Sequence, residues 1–281
     1  MKNSLIAFLL AAFLPAAAQD FKLEKLPDLI NSSYDEITPV PSRDGKTLYF
    51  TRVGYPDFDQ TLFIDSVDQA RQRSPEQYMT LLSDIYSQMA GTGIYAPTRS
   101  SYNQDVWSVQ VDSTNFSTPV HPRYPLNNAL PNSLVSITPD PNVFYTINQF
   151  DPRGNMQRGF STIRRLTDST WSFPQPVEIK DFYTITSDVS LTMSFDGQIL
   201  ILSATRFDSK DMDLYVCFRE GENKWSAPQH LGTSVNSPRR ETAPFLSEDN
   251  TTLFFASNRE GGSDIYICRR LDDTWKNWSA P

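Results

Sequence analysis

Histidine and cysteine are scarce in this chain, two of each in 281 residues. Two histidines exclude a three-histidine metal site, and neither stands at a spacing that would support a mixed one. Basic charge is also in short supply. Lys and Arg number 25 against 33 Asp and Glu, for a net charge of −8. Nucleic acid demands a basic face, so a nucleic-acid partner is excluded, and direct adhesion to anionic lipid is disfavoured. No apolar run spans a bilayer: the stretch from Leu5 to Leu14 falls well short of the roughly 20 residues a membrane helix needs. An apolar content of 39%, with Gly and Pro scattered through turns, marks a globular chain.

The apolar stretch has another reading. Lys2 supplies a positive start, Leu5 to Leu14 the apolar region, and Ala16-Ala17-Ala18 a small-residue cleavage site. Residues 1–18 are therefore expected to be a secretory signal peptide. No cysteine follows that site, so lipid attachment there is not expected. The mature chain should begin at Gln19, work outside the cytoplasm and carry no transmembrane segment. Without Lys2 it has 24 basic and 33 acidic residues, a net charge of −9.

The body of the chain repeats. Trp171-Ser172-Phe173-Pro174, Trp225-Ser226-Ala227-Pro228 and Trp278-Ser279-Ala280-Pro281 share one pattern, and Phe116-Ser117-Thr118-Pro119 is a weaker copy. The four prolines are 55, 54 and 53 residues apart. In the same frame lie Asp44-Gly45, Asp140-Pro141, Asp196-Gly197 and Asp249-Asn250, each with a hydroxyl two residues earlier (Ser42, Thr138, Ser194, Ser247). Apolar strands follow these turns, and Asp-Gly or Asp-Asn between extended runs is hairpin chemistry. Next come Asp105-Val106-Trp107, Asp213-Leu214-Tyr215 and Asp264-Ile265-Tyr266. The second repeat has Phe160-Ser161-Thr162-Ile163 there, a degenerate third strand. Each unit thus reads as four short antiparallel strands. Repeats of that size around an axis make an all-β propeller.

The segment Asp35-Glu36-Ile37-Thr38-Pro39 through Asp44-Gly45-Lys46-Thr47-Leu48-Tyr49-Phe50 resembles the TolB-like (WD-repeat-like, Pro-Asp type) β-propeller repeat family. So does Arg269-Arg270-Leu271-Asp272-Asp273-Thr274-Trp275 with its following Trp-Ser. The likeness covers roughly residues 26–281 and is nearest to secreted envelope proteins that carry an OmpA-like peptidoglycan-binding domain, which is not among these residues. It implies a propeller over residues 19–281, with blades at about 35–125, 132–180, 187–231 and 240–281. Two arrangements fit: four blades closing on themselves, or part of a larger propeller. The resemblance favours the second.

One element breaks the repeat, an insertion at residues 54–100 in the first blade. It holds the one convincing helix: Ser74 as cap, Pro75 in the first turn, Glu76 at the positive end and Gly91 as stop. Tyr78, Leu81, Leu82, Ile85, Tyr86 and Met89 fall on one face. That face is either a clip packed on the propeller rim or a lid or docking surface for another envelope protein, with Tyr78, Leu82 and Tyr86 as binding residues.

Eight residues before each Asp turn stand Glu36, Asn132, Asp188 and Glu241. They would form a ring about the axis, either tying strand starts together or binding a cation or a basic group at one mouth. His121 and His230 each lie two residues after a repeat proline and read as blade features. Cys217 and Cys268, each four residues after its aspartate, sit on neighbouring sheets about 10 Å apart, too far for a disulfide. Two free, mostly buried thiols are expected. Arg164-Arg165 and Arg269-Arg270 are in register and should bridge acidic turns between blades, or else form a carboxylate-binding groove for peptide or glycan. The sequence has no Gly-x-Ser-x-Gly elbow, and Ser42-Arg43-Asp44-Gly45 departs from a sialidase Asp box. The expectation is a non-enzymatic interaction scaffold for envelope proteins or a cell-wall glycan, periplasmic or outer-membrane-associated, with no cofactor and no metal. The alternative is a glycan-processing hydrolase that uses the axial carboxylates.

Overall fold

The computed structural model describes residues 25–113, 115–167 and 169–281. The expected signal peptide and the start at Gln19 lie outside them. Four small antiparallel sheets are arranged as a propeller of four blades, with one long helix. The first blade comprises Asp35–Pro41, Thr47–Val53, Gln104–Asp112 and Asn115–Phe116, side by side in that order. The second comprises Leu134–Ile137, Val143–Phe150, Met156–Arg164 and Gln175–Pro176. Its third strand is complete although the sequence there departs from the repeat. Ser190–Met193, Ile199–Thr205, Met212–Gly221 and Lys224–Trp225 build the third blade. Glu178–Ile179 extends that blade's outer edge by pairing parallel to Lys224–Trp225. The fourth blade has Glu241–Leu246, Thr252–Ser257 and Asp264–Arg269, plus a single bridge between Arg270 and Trp278.

The repeated residues are the ones that shape the backbone. In three turns the hydroxyl donates to the aspartate at 2.6 Å: Ser42 to Asp44, Ser194 to Asp196 and Ser247 to Asp249. Each carboxylate then accepts the N–H two residues on, from Lys46, Gln198 and Thr251. Gly45 at φ 68° and Asn250 at φ 58° supply the left-handed residue the turn requires.

Trp-Ser-x-Pro has an equally local explanation. The serine is a two-way clamp on the end of the third strand. Ser172 accepts the N–H of Arg164 at 3.0 Å and returns its own N–H to the Arg164 carbonyl at 2.8 Å. Ser117, Ser226 and Ser279 do the same to Gln110, Phe218 and Arg269. The preceding aromatic is thereby aimed between blades, where Trp171, Trp225 and Trp278 are each buried.

Each blade packs on the next through one apolar cluster. Val40, Tyr49 and Val106 meet Leu134, Phe144 and Trp171 between the first and second blades. Tyr145 and Phe160 meet Leu200, Tyr215 and Trp225 between the second and third. Ile201, Leu214 and Val216 meet Leu253, Phe255 and Trp278 between the third and fourth. Among the described residues no apolar cluster joins the fourth blade to the first. The free face of the first blade (Phe50, Trp107, Val109) is covered by Ile30, Leu26, Tyr55 and Phe116. The free face of the fourth is exposed at Phe245, Ile265 and Ile267.

The insertion is more structured than its sequence announces. A two-residue hairpin, Phe63–Ile64 with Val67–Asp68, and a short helix, Gln69–Gln72, precede the long helix Pro75–Ala90. The expected caps are present: Ser74 and Gln77 form a capping box, and Gly91 ends the helix in the left-handed conformation. Tyr78, Leu82 and Tyr86 are buried against Phe58, Leu62, Ala129, Leu130 and Phe150. The face is a clip on the propeller, with Tyr86 Oη donating to the Ala129 carbonyl.

Candidate functional site

The four residues of the expected ring do not share one environment. Glu36 accepts from the Ser32 N–H (3.0 Å), the Ser32 hydroxyl (2.6 Å) and Arg52 Nε (2.8 Å). Glu241 repeats this set with the Ser237 N–H and hydroxyl, adds the Ser257 hydroxyl, and pairs with Arg259 at 3.1 Å. Its side chain is fully buried. Both arginines lie over the aromatic residues of their own blade, Arg52 over Trp107 at 4.7 Å and Arg259 over Tyr266 at 4.8 Å. Asn132, also buried, has its Nδ2 within reach of the carbonyls of Gln104, Asn128 and Leu130 and of Asp105 Oδ1, more acceptors than its two N–H bonds serve at once. These three side chains tie strand starts and connectors together, which is the bland alternative of the sequence reading.

Asp188 differs. It is more than half exposed and holds only a surface ion pair to Arg240 at 3.0 Å. The third repeat has Thr184 where the others have Ser32 and Ser237, and no serine–arginine cage encloses its carboxylate. Asp188 instead lines a half-enclosed recess of about 230 Å³ with Met89, Tyr102, Gln104, Asn148 and Arg158. The long helix and the first three blades all contribute to it. A more open recess of about 530 Å³, lined by Asn31, Tyr34, Glu36 and Gln104, adjoins it at Ser101 and Gln104. The structure therefore brings Asp188 and Glu36 to neighbouring recesses, with Glu36 already saturated. Glu241 lines neither of them.

Strained backbone accompanies this mouth. Thr38 and Ala243, each two residues past its ring carboxylate, have φ of 51° and 48° where the inner strand shifts register. In the second blade the inner strand shifts register between Leu134 and Ser136, and a separate bulge at Asn148 (φ 67°) lies on the second strand beside Arg158 and Gly159. Thr is rare at such angles, and on the fourth blade the Ala243 N–H donates to Ser190 Oγ of the third at 3.0 Å. Arg158 directs Nη1 to the carbonyls of Thr184 and Ile185. This anchors its guanidinium at the rim of the recess.

Arg158, Gln104, Tyr102 and Asn148 line the recess without belonging to any of the repeated motifs. One signal was available: the second repeat lacks the third-strand aspartate, and Arg158 with Gly159 occupies that place. Tyr78, Leu82 and Tyr86 lie under the helix, so a partner could reach them only by displacing it.

The remaining candidates are structural. His121 Nε2 lies 2.7 Å from Asp105, with its ring stacked on Trp107, and His230 Nε2 lies 3.1 Å from Asp213. Burial raises the Asp105 carboxyl, partly offset by the hydrogen bond to His121. The expected bridges between blades are not what the acidic partners form. Arg164 pairs with Asp140 at 2.9 Å and Arg270 with Asp273 at 2.7 Å, each within its own blade, because the end of the third strand lies beside that blade's own turns. Arg165 reaches the neighbouring blade at the Tyr49 hydroxyl, 3.3 Å away. Cys217 and Cys268 are free and buried, and burial pushes their thiols up to about 12 and about 11. No group of three metal-ligating side chains occurs among the described residues, and no described helix is long and apolar enough to cross a membrane.

No family model and no curated protein matches this chain. Solved structures do. TolB from Acinetobacter baumannii aligns with 83% of this chain and 53% of its own at 12% identity, with a TM-score of 0.38. A puromycin-hydrolysing peptidase from Mycobacterium tuberculosis aligns with 88% of this chain and 29% of its own at 13% identity, TM-score 0.40. An oligogalacturonate lyase from Vibrio parahaemolyticus aligns over 87% and 68% at 13% identity, TM-score 0.38. The chain spans about half the length of that TolB and under a third of that peptidase. At these scores the likenesses carry nothing about activity.

Proposed function

We propose that this chain is a secreted, non-enzymatic β-propeller that serves as an interaction scaffold in a bacterial cell envelope, part of a protein of the OmpA-associated kind. Its ligand is a cell-wall fragment or an envelope protein, held at the recess between the long helix and the first three blades. One observation carries this reading. Of the four equivalent ring positions, only Asp188 is left exposed, and it lines a recess of about 230 Å³ to which Arg158 also contributes. Glu36 and Glu241 are held in serine–arginine cages, so the ring positions do not supply the pair of free carboxylates that glycoside hydrolysis uses. The leader at residues 1–18 supports export.

The test is calorimetric titration with soluble disaccharide-peptide fragments of peptidoglycan. Binding should weaken about tenfold or more in Arg158→Ala and in Asp188→Asn, the loss expected for one charged hydrogen bond, while circular dichroism stays unchanged. Absence of binding to these fragments overturns the cell-wall ligand. Release of reducing sugar from cell-wall polysaccharide, abolished in Glu36→Gln with the fold intact, overturns the non-enzymatic reading.

A further inference from the structure

Five residues before the ring position, the connectors carry Asn31, Asn127, Tyr183 and Asn236. Asn127 accepts the Val106 N–H at 2.8 Å and donates to the Val106 carbonyl at 2.9 Å. Asn236 does the same to Leu214, at 2.8 and 2.9 Å. Asn31 makes a local bond, from Nδ2 to the Leu26 carbonyl at 2.9 Å. Tyr183 is the exception, since a phenol cannot clamp both groups of a peptide. The second blade does not call for the clamp. Phe160 takes the place of Val106 there, and its carbonyl accepts from Gln149 Nε2 at 3.1 Å and from the Val177 N–H at 2.9 Å.

Tyr183 lies at the surface instead, against Phe207 from the turn between the second and third strands of its blade. The ring centroids are 5.6 Å apart and the planes 34° from parallel. Phe207 is 86% exposed and Ile185, beside them in the connector, 45%. The pair is held in place. The Phe207 N–H donates to Tyr183 Oη at 3.2 Å, and Ser209 Oγ closes the turn by accepting the Arg206 N–H at 2.9 Å. The Arg206 guanidinium, largely buried, stands 4.0 Å from the Tyr183 ring centroid and donates to the Asp181 carbonyl at 3.3 Å. The Ile185 N–H donates to the Thr205 carbonyl at 2.8 Å, which fastens the connector to the blade. Polar groups surround the rings: Asp208, Lys210 and Asp211 are exposed on the turn, and Tyr183 Oη keeps its own hydrogen to donate.

Three apolar side chains are too few for a stable protein interface, which takes about 20–30 residues and about 800 Å² from each partner. They suit a sugar. A pyranose lays its C–H face on the electron-rich face of an aromatic ring, while the hydroxyl and amide groups at its edge find polar partners around the ring. The platform also leads into the recess. Tyr183 and Asp188 are five residues apart, at most about 18 Å of chain. Arg158 holds the intervening carbonyls of Thr184 and Ile185 and lines the recess with Ser187 and Asp188. We infer, on the cell-wall reading of that recess, that Tyr183 and Phe207 form a carbohydrate subsite. They stack on the sugar backbone of a cell-wall glycan whose charged substituent enters the recess at Asp188.

The probe is the β-1,4-linked tetrasaccharide of N-acetylglucosamine, which carries the sugar backbone and no peptide. Calorimetric titration should show binding that weakens about tenfold or more in Phe207→Ala, with an unchanged melting temperature because the side chain is exposed. Phe207→Trp should restore the affinity, and its emission should move to shorter wavelength as the sugar covers the indole. Tetrasaccharide binding that Phe207→Ala leaves intact overturns the subsite. So does a chain that ignores the tetrasaccharide and binds disaccharide-peptide fragments through Asp188 and Arg158 alone, an outcome that leaves the recess standing. Tetrasaccharide binding lost in Phe207→Ala, without any binding of those fragments, upholds the subsite and overturns the recess. Binding of neither ligand overturns both.

Discussion

Phe50 and Trp107 on the first blade, and Phe245 and Ile265 on the fourth, face out of the two ends of one arc of repeats. The sheets that carry them have the same turns, the same third-strand aspartate and the same arginine laid over an aromatic ring. Yet the first pair is buried and the second exposed. The difference lies in what the chain supplies in front of each face. Leu26, Ile30, Tyr55 and Phe116 close over the first, whereas no comparable segment of the described chain reaches the fourth. A propeller blade therefore does not bury its own apolar residues. Burial is a property of the junction, and the repeat supplies only half of each junction.

The largest expected effect sharpens this contrast. Phe50→Ala should cost about 3–5 kcal/mol, the usual range for removing a buried aromatic side chain, measured by urea denaturation at dilute concentration. A smaller loss follows from the connectors. Asn236→Ala strands two backbone groups of Leu214 in a buried setting and should cost about 1–3 kcal/mol, whereas Asn31→Ala removes one local bond and should cost about 0.5–1.5 kcal/mol. Equal losses at the two asparagines would mean that Asn31 already grips a strand. Ile265→Ala should stay within about 0.5 kcal/mol. A loss of several kcal/mol there would break the comparison, because the face would then be covered.

The smallest effect should be blind to the two ends. The Ser42 hydroxyl and the Lys46 N–H hold Asp44 below the usual carboxylate range on the first blade. On the fourth, the Ser247 hydroxyl and the Thr251 N–H hold Asp249 at about 2. A depressed folded value means stability that is present above the unfolded value of 3.8 and lost as pH falls through the folded one. Unfolding followed between pH 4 and 2 should show this loss, and Asp249→Asn should flatten it, as should Asp44→Asn. Asp105 acts in the opposite sense, since burial raises it.

Much of this was legible because the signals are local. Ser-x-Asp-Gly and Trp-Ser-x-Pro each close hydrogen bonds within a few residues of themselves or on the adjacent strand, so their spacing carries the blade plan. The cap Ser74 and the stop at Gly91 act the same way. The candidate site was less legible. Glu36, Asn132, Asp188 and Glu241 look equivalent in the repeat frame. Their fates depend on whether a serine at the connector and an arginine across the strand close around the carboxylate. Arg158 and Asn148 enter the recess because the second blade bulges where its aspartate is missing, and no spacing announces a bulge.

The sequence by itself determined the four-stranded unit, its period, its turns and the caps of the inserted helix, since those rest on short-range geometry and hydrogen bonds. Only the tertiary structure decided which ring residue stayed exposed, which helix face was covered and which end of the arc was left bare. Those outcomes depend on which surfaces meet across long sequence separations, and a repeat presents the same surface each time whether or not anything lies against it.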